Sequence, residues 1–494
     1  MTRLPVRLLT VVAVLAVGTA VGQGLTTAQP AVLSPRQVPV VGAGAVCPDL
    51  RSAAGVSSNV AVGLAGAVDP AAVAGTAVSA GALGGAAPAA LPVPGGGAVA
   101  AGLGSDVSDG ALSVRAAGPG AAGLAAVLTT QASAGAVRGL ASVPCAAPST
   151  DVWLVGGGTV AGESSTLVVA NLDAQPAVVD VTVVGAEGPA DDRPGRGVGV
   201  PARGRVAVPL DTLAPDRSVL ALHVHAVRGR VAAAVRHERS DGVVPHGVAY
   251  AAPSAPPAGV VQVPALPAGP GYRAVEVANP GDADVQMQVS ITTAQGQFVP
   301  EGMSSVPVRA GTTVRVDLSA ALAATPAAVQ VTATGGPVLA AGFVEEVGAG
   351  DVRDLTYVAP AAALAAPALL PDVTLGAAEQ TLLLSAPTGD AVVEIDVVHV
   401  AGGPAVAAPP RRIDVPGGRT VAVTVASLLP TGTTGRVGVV VRPDRRASRV
   451  LADLVVLAAP ADGPLLTSLS PVPAAQEAAQ PVVVRDPAVG AGTS

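Results

Sequence analysis

Val200-Pro201-Ala202-Arg203-Gly204-Arg205-Val206 decides how this chain is read, because its shape recurs. It stands earlier as Val93-Pro94-Gly95-Gly96-Gly97-Ala98-Val99. It returns as Val308-Arg309-Ala310-Gly311-Thr312-Thr313-Val314 and as Val415-Pro416-Gly417-Gly418-Arg419-Thr420-Val421. The copies are spaced 107, 108 and 107 residues apart. Solenoid repeats run about 20–50 residues, so the period is too long for one. It matches one β-sandwich domain of about 100 residues.

Between the copies, short apolar runs alternate with Gly, Pro and Asp turns. In the second unit they include Asp151-Val152-Trp153-Leu154-Val155, Leu167 to Asn171, Ala177 to Val184, Arg205 to Leu210, Ser218 to Ala226 and Gly229 to Arg236. About seven such runs per unit is an immunoglobulin-like count. Val169-Ala170-Asn171 recurs as Val277-Ala278-Asn279, and more loosely as Leu384-Ser385-Ala386. The expected fold is all-β: tandem immunoglobulin-like antiparallel sandwiches behind an N-terminal signal or anchor segment.

The expected division is 1–24 signal or anchor, 25–44 leader, then sandwiches at 45–148, 149–254, 258–360 and 366–460. Residues 461–494 read as a disordered Pro/Ala-rich tail. The first half of the first unit is Ala/Gly-rich and only faintly strand-like. Pro-rich joints at Pro144–Pro148, Pro253–Pro257 and Pro360–Pro367 suggest semi-stiff linkers, and hence an extended rod of domains.

The 494 residues are half hydrophobic but only 1% aromatic, with one Trp, three Tyr and two Phe. Ala, Val and Leu must fill the cores, at about 0.8 kcal/mol per buried methylene. Lysine is absent, so all 28 basic residues are Arg, a pattern expected of a GC-rich bacterial genome. The net charge of −7 offers no basic footprint for nucleic acid.

Arg3 and Arg7 precede the apolar run Leu8 to Val21, which has the make-up of an export signal. Cleavage at Ala20-Val21-Gly22 gives a secreted protein; an uncleaved segment gives an anchor. Membrane contact is expected only through that segment. Cys47 and Cys145 are the only cysteines. An even count in an exported chain favours a disulfide, here bracketing the first unit.

Catalytic motifs are missing. There is no Gly-x-Ser-x-Gly elbow, phosphate loop or His-Glu-x-x-His sequence. Ser164-Ser165, Asp191-Asp192, Glu345-Glu346 and the pair Asp282 and Asp284 are the polar groups weighed for catalysis or calcium; each reads as an ordinary turn or solvated group. His223 and His225 share one strand face, and His237 lies on the next strand, an arrangement zinc can use. The competing reading is two outward imidazoles over inward Leu222 and Val224. No metal or cofactor is assigned from these three candidates. Trp153 reads as a core or inter-domain anchor.

Arg138-Gly139-Leu140-Ala141 to Cys145, Asp151-Val152-Trp153 and Leu167 to Asn171 resemble an uncharacterised family of exported actinobacterial cell-envelope proteins. The resemblance implies secretion or tethering and a link to surface-polysaccharide assembly, and it assigns no functional residue. The expected function is a non-enzymatic scaffold or adhesion protein of the envelope, whose partner is an unidentified envelope protein or polysaccharide. The alternatives are an accessory subunit of an envelope enzyme and a glycan- or peptide-binding module.

Overall fold

A computed structural model describes residues 36–51, 55–65, 75–85, 87–92, 98–99, 110–135, 137–191, 193–376, 378–400, 403–404, 408–444, 449–474 and 477–480. The expected export segment, the first repeat copy through Gly97 and the tail beyond 480 lie outside them. The described chain forms two bodies. In the smaller, Arg36–Pro39 pairs antiparallel with Glu477–Gln480. The larger spans Val40–Gln476 and holds, among the described residues, four two-sheet antiparallel sandwiches. They occupy 42–144, 151–251, 260–358 and 368–473.

The second sandwich shows the plan. One sheet runs Asp151–Val155, Leu220–Arg228, Ala177–Gly185, with Gly188–Pro189 and Val198–Val200 at its margin. The other runs Arg205–Pro209, Glu163–Ala170, Ala232–Asp241, Val244–Ala251. The repeated heptapeptide is the place where the chain passes from one sheet to the other. Val200, Val308 and Val415 end a strand of the first sheet with their side chains buried. The next strand begins in the second sheet only a few residues later. This crossing needs a left-handed residue at one position, occupied by Arg203, Gly311 and Gly418 at φ 48°, 63° and 70°.

The Asn landmark serves the same crossing. Asn171 donates to Gln175 O at 2.7 Å and Pro201 O at 3.2 Å, and accepts from Asp173 N at 2.9 Å. Asn279 repeats this with Ala283, Val308 and Gly281. One buried amide thus ties a hairpin turn to the crossover, which satisfies backbone groups that burial would otherwise strand.

The sandwiches do not form a rod. Each ends in a hairpin strand: Gly139–Pro144, Val244–Ala251, Arg353–Val358 and Leu465–Leu469. Each of these packs beside the next, and the fourth packs back beside the first. Cores are shared around this circuit. Tyr250 joins the first core. Phe343, Leu355 and Tyr357 join the second. Leu383, Val455 and Leu466 join the third, and Val127 joins the fourth. Short joints that look like spacers instead fold neighbours face to face, because each last strand leaves an apolar face to cover.

One carboxylate sits among all four hairpin strands. Asp354 Oδ2 accepts from Leu140 N at 2.9 Å and Leu466 N at 2.8 Å. Its Oδ1 accepts from Val248 N at 3.3 Å and Leu355 N at 3.0 Å. The close approach requires small neighbours. A β-carbon on Gly139 would stand 2.7 Å from Asp354 Oδ1, and one on Gly247 would collide with the same atom. Beside this centre, Arg138 closes the first sandwich onto the fourth by donating to Pro464 O at 2.8 Å and Gly463 O at 2.5 Å.

Two sequence boundaries are corrected. Strand Gly42–Leu50 begins within the expected leader, and Arg36–Pro39 lies wholly inside it. The expected tail supplies Leu465–Leu469, Val472–Pro473 and Glu477–Gln480. The run Leu465-Leu466-Thr467-Ser468-Leu469 is short and flanked by Pro464 and Pro471, which hides it. All five residues are nevertheless buried against neighbouring strands.

Cys47 and Cys145 form a disulfide across 98 residues, joining the two sheets of the first sandwich. Closing so long a loop restricts the unfolded chain most. Urea unfolding of the Cys47→Ala/Cys145→Ala protein is expected to show a loss of about 3–5 kcal/mol relative to the oxidised chain. An unchanged midpoint and slope would contradict it.

Candidate functional site

The outer face of the second sandwich carries the first polar cluster. Pairing sets Asp151 opposite His225 and Trp153 opposite His223. Leu222 and Val224 alternate inward and are buried, so the two imidazoles point outward. Asp151 Oδ1 lies 3.0 Å from His223 Nε2 and 2.9 Å from His225 Nδ1. The hydrogen bond from His225, then that from His223, holds the Asp151 carboxyl below its ordinary value. Trp153 stacks on His223 with centroids 3.8 Å apart and planes 2° from parallel. It also packs against Ala278, Leu339 and Ala341 of the third sandwich, so it anchors that joint.

His237 does not join them. It lies on Ala232–Asp241 in the other sheet, fully buried. Its Nδ1 faces the Tyr357 hydroxyl at 2.8 Å, and that hydroxyl accepts from Gly157 N at 2.8 Å. Its Nε2 faces Glu163 Oε2 at 3.4 Å. Burial pushes the imidazole down in pKa, against the pull of Glu163. Sequence spacing grouped the three His by strand adjacency. The sandwich divides those strands between sheets. The carboxylate that does meet the pair, Asp151, is 72 and 74 residues away and carries no local signal.

A second polar cluster fills the joint between the second and third sandwiches. Arg239 Nε bonds Glu163 Oε1 at 3.0 Å, and its other arm pairs with Glu345. Glu345 also pairs with Arg353. Arg315 Nε bonds Glu276 Oε1 at 2.9 Å and lies 4.5 Å over the Phe343 ring. Burial raises Glu163, but His237, Arg239 and Arg315 outweigh it and leave the carboxyl lowered. The arrangement pairs charge across a joint and leaves His237 and Glu276 without solvent contact.

The other weighed groups fall apart as sites. Glu345 and Glu346 are successive strand residues on opposite faces, the second paired with Arg273, so they do not act together. Ser165 is buried and exchanges hydrogen bonds with Gly158 O and N at 2.8 and 2.9 Å. Asp284 caps a loop by accepting from Ala310 N at 2.9 Å. Asp191 accepts from Arg193 N at 3.1 Å, and Asp192 lies outside the described residues.

Comparison with known proteins adds a family. The model of "Family of unknown function (DUF5719)" matches residues 98–426. The chain belongs to this family. The DUF5719 match contains the second and third sandwiches whole, and with them both polar clusters and Asp354. No curated protein matches. Among solved structures, a GH78 family rhamnosidase of Bacillus sp. GL1 aligns at 11% identity, with a TM-score of 0.11. The alignment covers 67% of this chain and 55% of that one, so the chain spans about half the rhamnosidase. At that score the likeness carries no argument.

Asp453 in the fourth sandwich gives a pH test. Burial pushes its carboxyl up to about 7, against hydrogen bonds from Ser468 and Ser470. A raised folded value means its contribution is whole below an unfolded value of about 4 and is lost as pH rises through about 7. Urea unfolding is therefore expected to show the wild type losing stability relative to Asp453→Asn between about pH 4 and pH 7, with the difference level above about pH 8. A difference that stays constant across that range would refute it.

Proposed function

We propose that this protein is an exported, non-enzymatic scaffold or adhesion module of the bacterial cell envelope. The observation that carries the reading is the use made of its buried polar groups. Several buried polar groups of the larger body hold sandwich to sandwich: Asp354 at the four-strand centre, Arg239 and Glu345 at one joint, Arg205 and Arg236 on Asp49 at another. Each of these groups is already partnered across a boundary between sandwiches. The same pairing suits a part that must hold its shape under load. The disulfide supports an oxidising compartment. Among the described residues, no helix is long and apolar enough to cross a membrane.

A ligand-binding role is the second reading, and one cavity favours it. A cleft of about 640 Å³ lies between the first and fourth sandwiches. Asn59, Gln131, Gln380 and the Arg436–Asp372 pair line it. Such a wall can hydrogen-bond hydroxyls. The cleft has no aromatic ring on which a sugar would stack.

Fractionation of the source organism distinguishes these readings from an intracellular one. Expected is recovery in the wall or medium fraction with Cys47 and Cys145 oxidised. Crosslinking in living cells should then capture a surface-polysaccharide assembly protein. A reduced, cytoplasmic protein would end the envelope reading, and a crosslink set without any such partner would end the glycan link.

A further inference from the structure

We infer that Asp151, His223 and His225 form a surface site for a borderline divalent transition-metal cation of the zinc class. The site does not depend on the envelope role proposed above.

Two imidazole nitrogens from separate rings converge on one carboxylate oxygen, at 3.0 and 2.9 Å. All three ligand atoms lie within 4.8 Å of one another. Atoms bound at about 2.0–2.2 Å around a tetrahedral zinc stand about 3.3–3.6 Å apart. Small side-chain movements therefore turn the present hydrogen-bonded set into a coordination set. The donors select the ion: two nitrogens and one oxygen suit zinc, cobalt, nickel or copper, and suit calcium or magnesium poorly.

The backbone fixes the geometry in advance. Asp151 and His225 are direct cross-strand partners, as are Trp153 and His223, on strands whose other faces are core. The parallel Trp153 ring clamps the His223 plane from outside the ligand set. Among the described residues, the ion pairs of Asp151 are with these two imidazoles, so no arginine competes for the carboxylate. The cluster is open to water, with Asp151 and His225 side chains 48% and 50% exposed, which gives the ion an entry path and at least one free coordination position.

The fold itself does not require this set. The same register in the third sandwich pairs Val260 with Thr332 and Gln262 with Gln330. There the corresponding groups are an apolar residue, a glutamine and a hydroxyl, none of them a strong zinc ligand. Equal strands thus carry ligands in one unit and not in its sister.

The sole tryptophan of the chain is the built-in reporter. The test is calorimetric titration of the purified full chain with zinc chloride, beside titration with copper(II) followed by Trp153 fluorescence. Expected is one zinc per chain and copper quenching that saturates with the same stoichiometry. His223→Ala, His225→Ala and Asp151→Asn should each weaken zinc by more than about tenfold, since loss of even outer-sphere partners costs 10–100-fold. His399→Ala, on the fourth sandwich, should leave it unchanged. Asp151→Asn keeps the size of the side chain, so it reads the lost ligand charge even if a His variant unfolds. No saturable binding, or zinc affinity unaltered by Asp151→Asn, would overturn the assignment.

Discussion

Asp354 is a buried carboxylate that four backbone amides from four different sandwiches address at once. Its environment is all donors, which is the surrounding a carboxylate wants and one that no isolated sandwich can provide. Burial still pushes the carboxyl up to about 8, so the amides offset desolvation only in part. Such a group is tolerable only while every strand around it is in place. The hairpin strands, the glycines that let them approach and the shared cores all follow from that requirement. A carboxylate at this point makes the association of the four units specific in register, where apolar faces alone would allow sliding.

The scarcity of aromatics takes on meaning here. Tyr250, Phe343 and Tyr357 are buried where one sandwich meets the core of another, and Trp153 packs at the joint between the second and third. Within each sandwich, Val, Leu and Ala suffice, because two pleated layers interdigitate small branched side chains well. Joints lack that regular meshing. Large rings fill their irregular gaps and carry the most area per residue. The few rings of this chain are mostly spent between units.

Fold class and repeat were legible because they rest on short-range signals. The Val-to-Val crossover has a fixed length and needs a left-handed residue, and the Val-Ala-Asn landmark needs an amide to pin its turn. The first leaves a local trace in the second, third and fourth units, and the second leaves its amide in two of them, as Asn171 and Asn279. The closed association left none. It depends on Asp354, on Gly139 and Gly247, and on the five residues Leu465 to Leu469, each unremarkable in its own neighbourhood. The proline-rich joints pointed to spacing, whereas the apolar faces they connect decide the outcome. At the surface cluster, the outward pair His223 and His225 followed from strand alternation. Asp151 did not, because cross-strand register joins residues that the sequence keeps far apart. His237 was misplaced for the converse reason: neighbours in sequence were sent to opposite sheets.

Backbone hydrogen exchange at Leu140, Val248 and Leu466 tests the four-way closure most directly. In the native protein these amides, from three different sandwiches, are expected to exchange slowly and with one common opening free energy. Replacing Asp354 with Ala should release all three together while amides inside each sandwich stay protected. Three independent exchange rates in the native protein, or protection that survives the loss of the carboxylate, would contradict closure around Asp354.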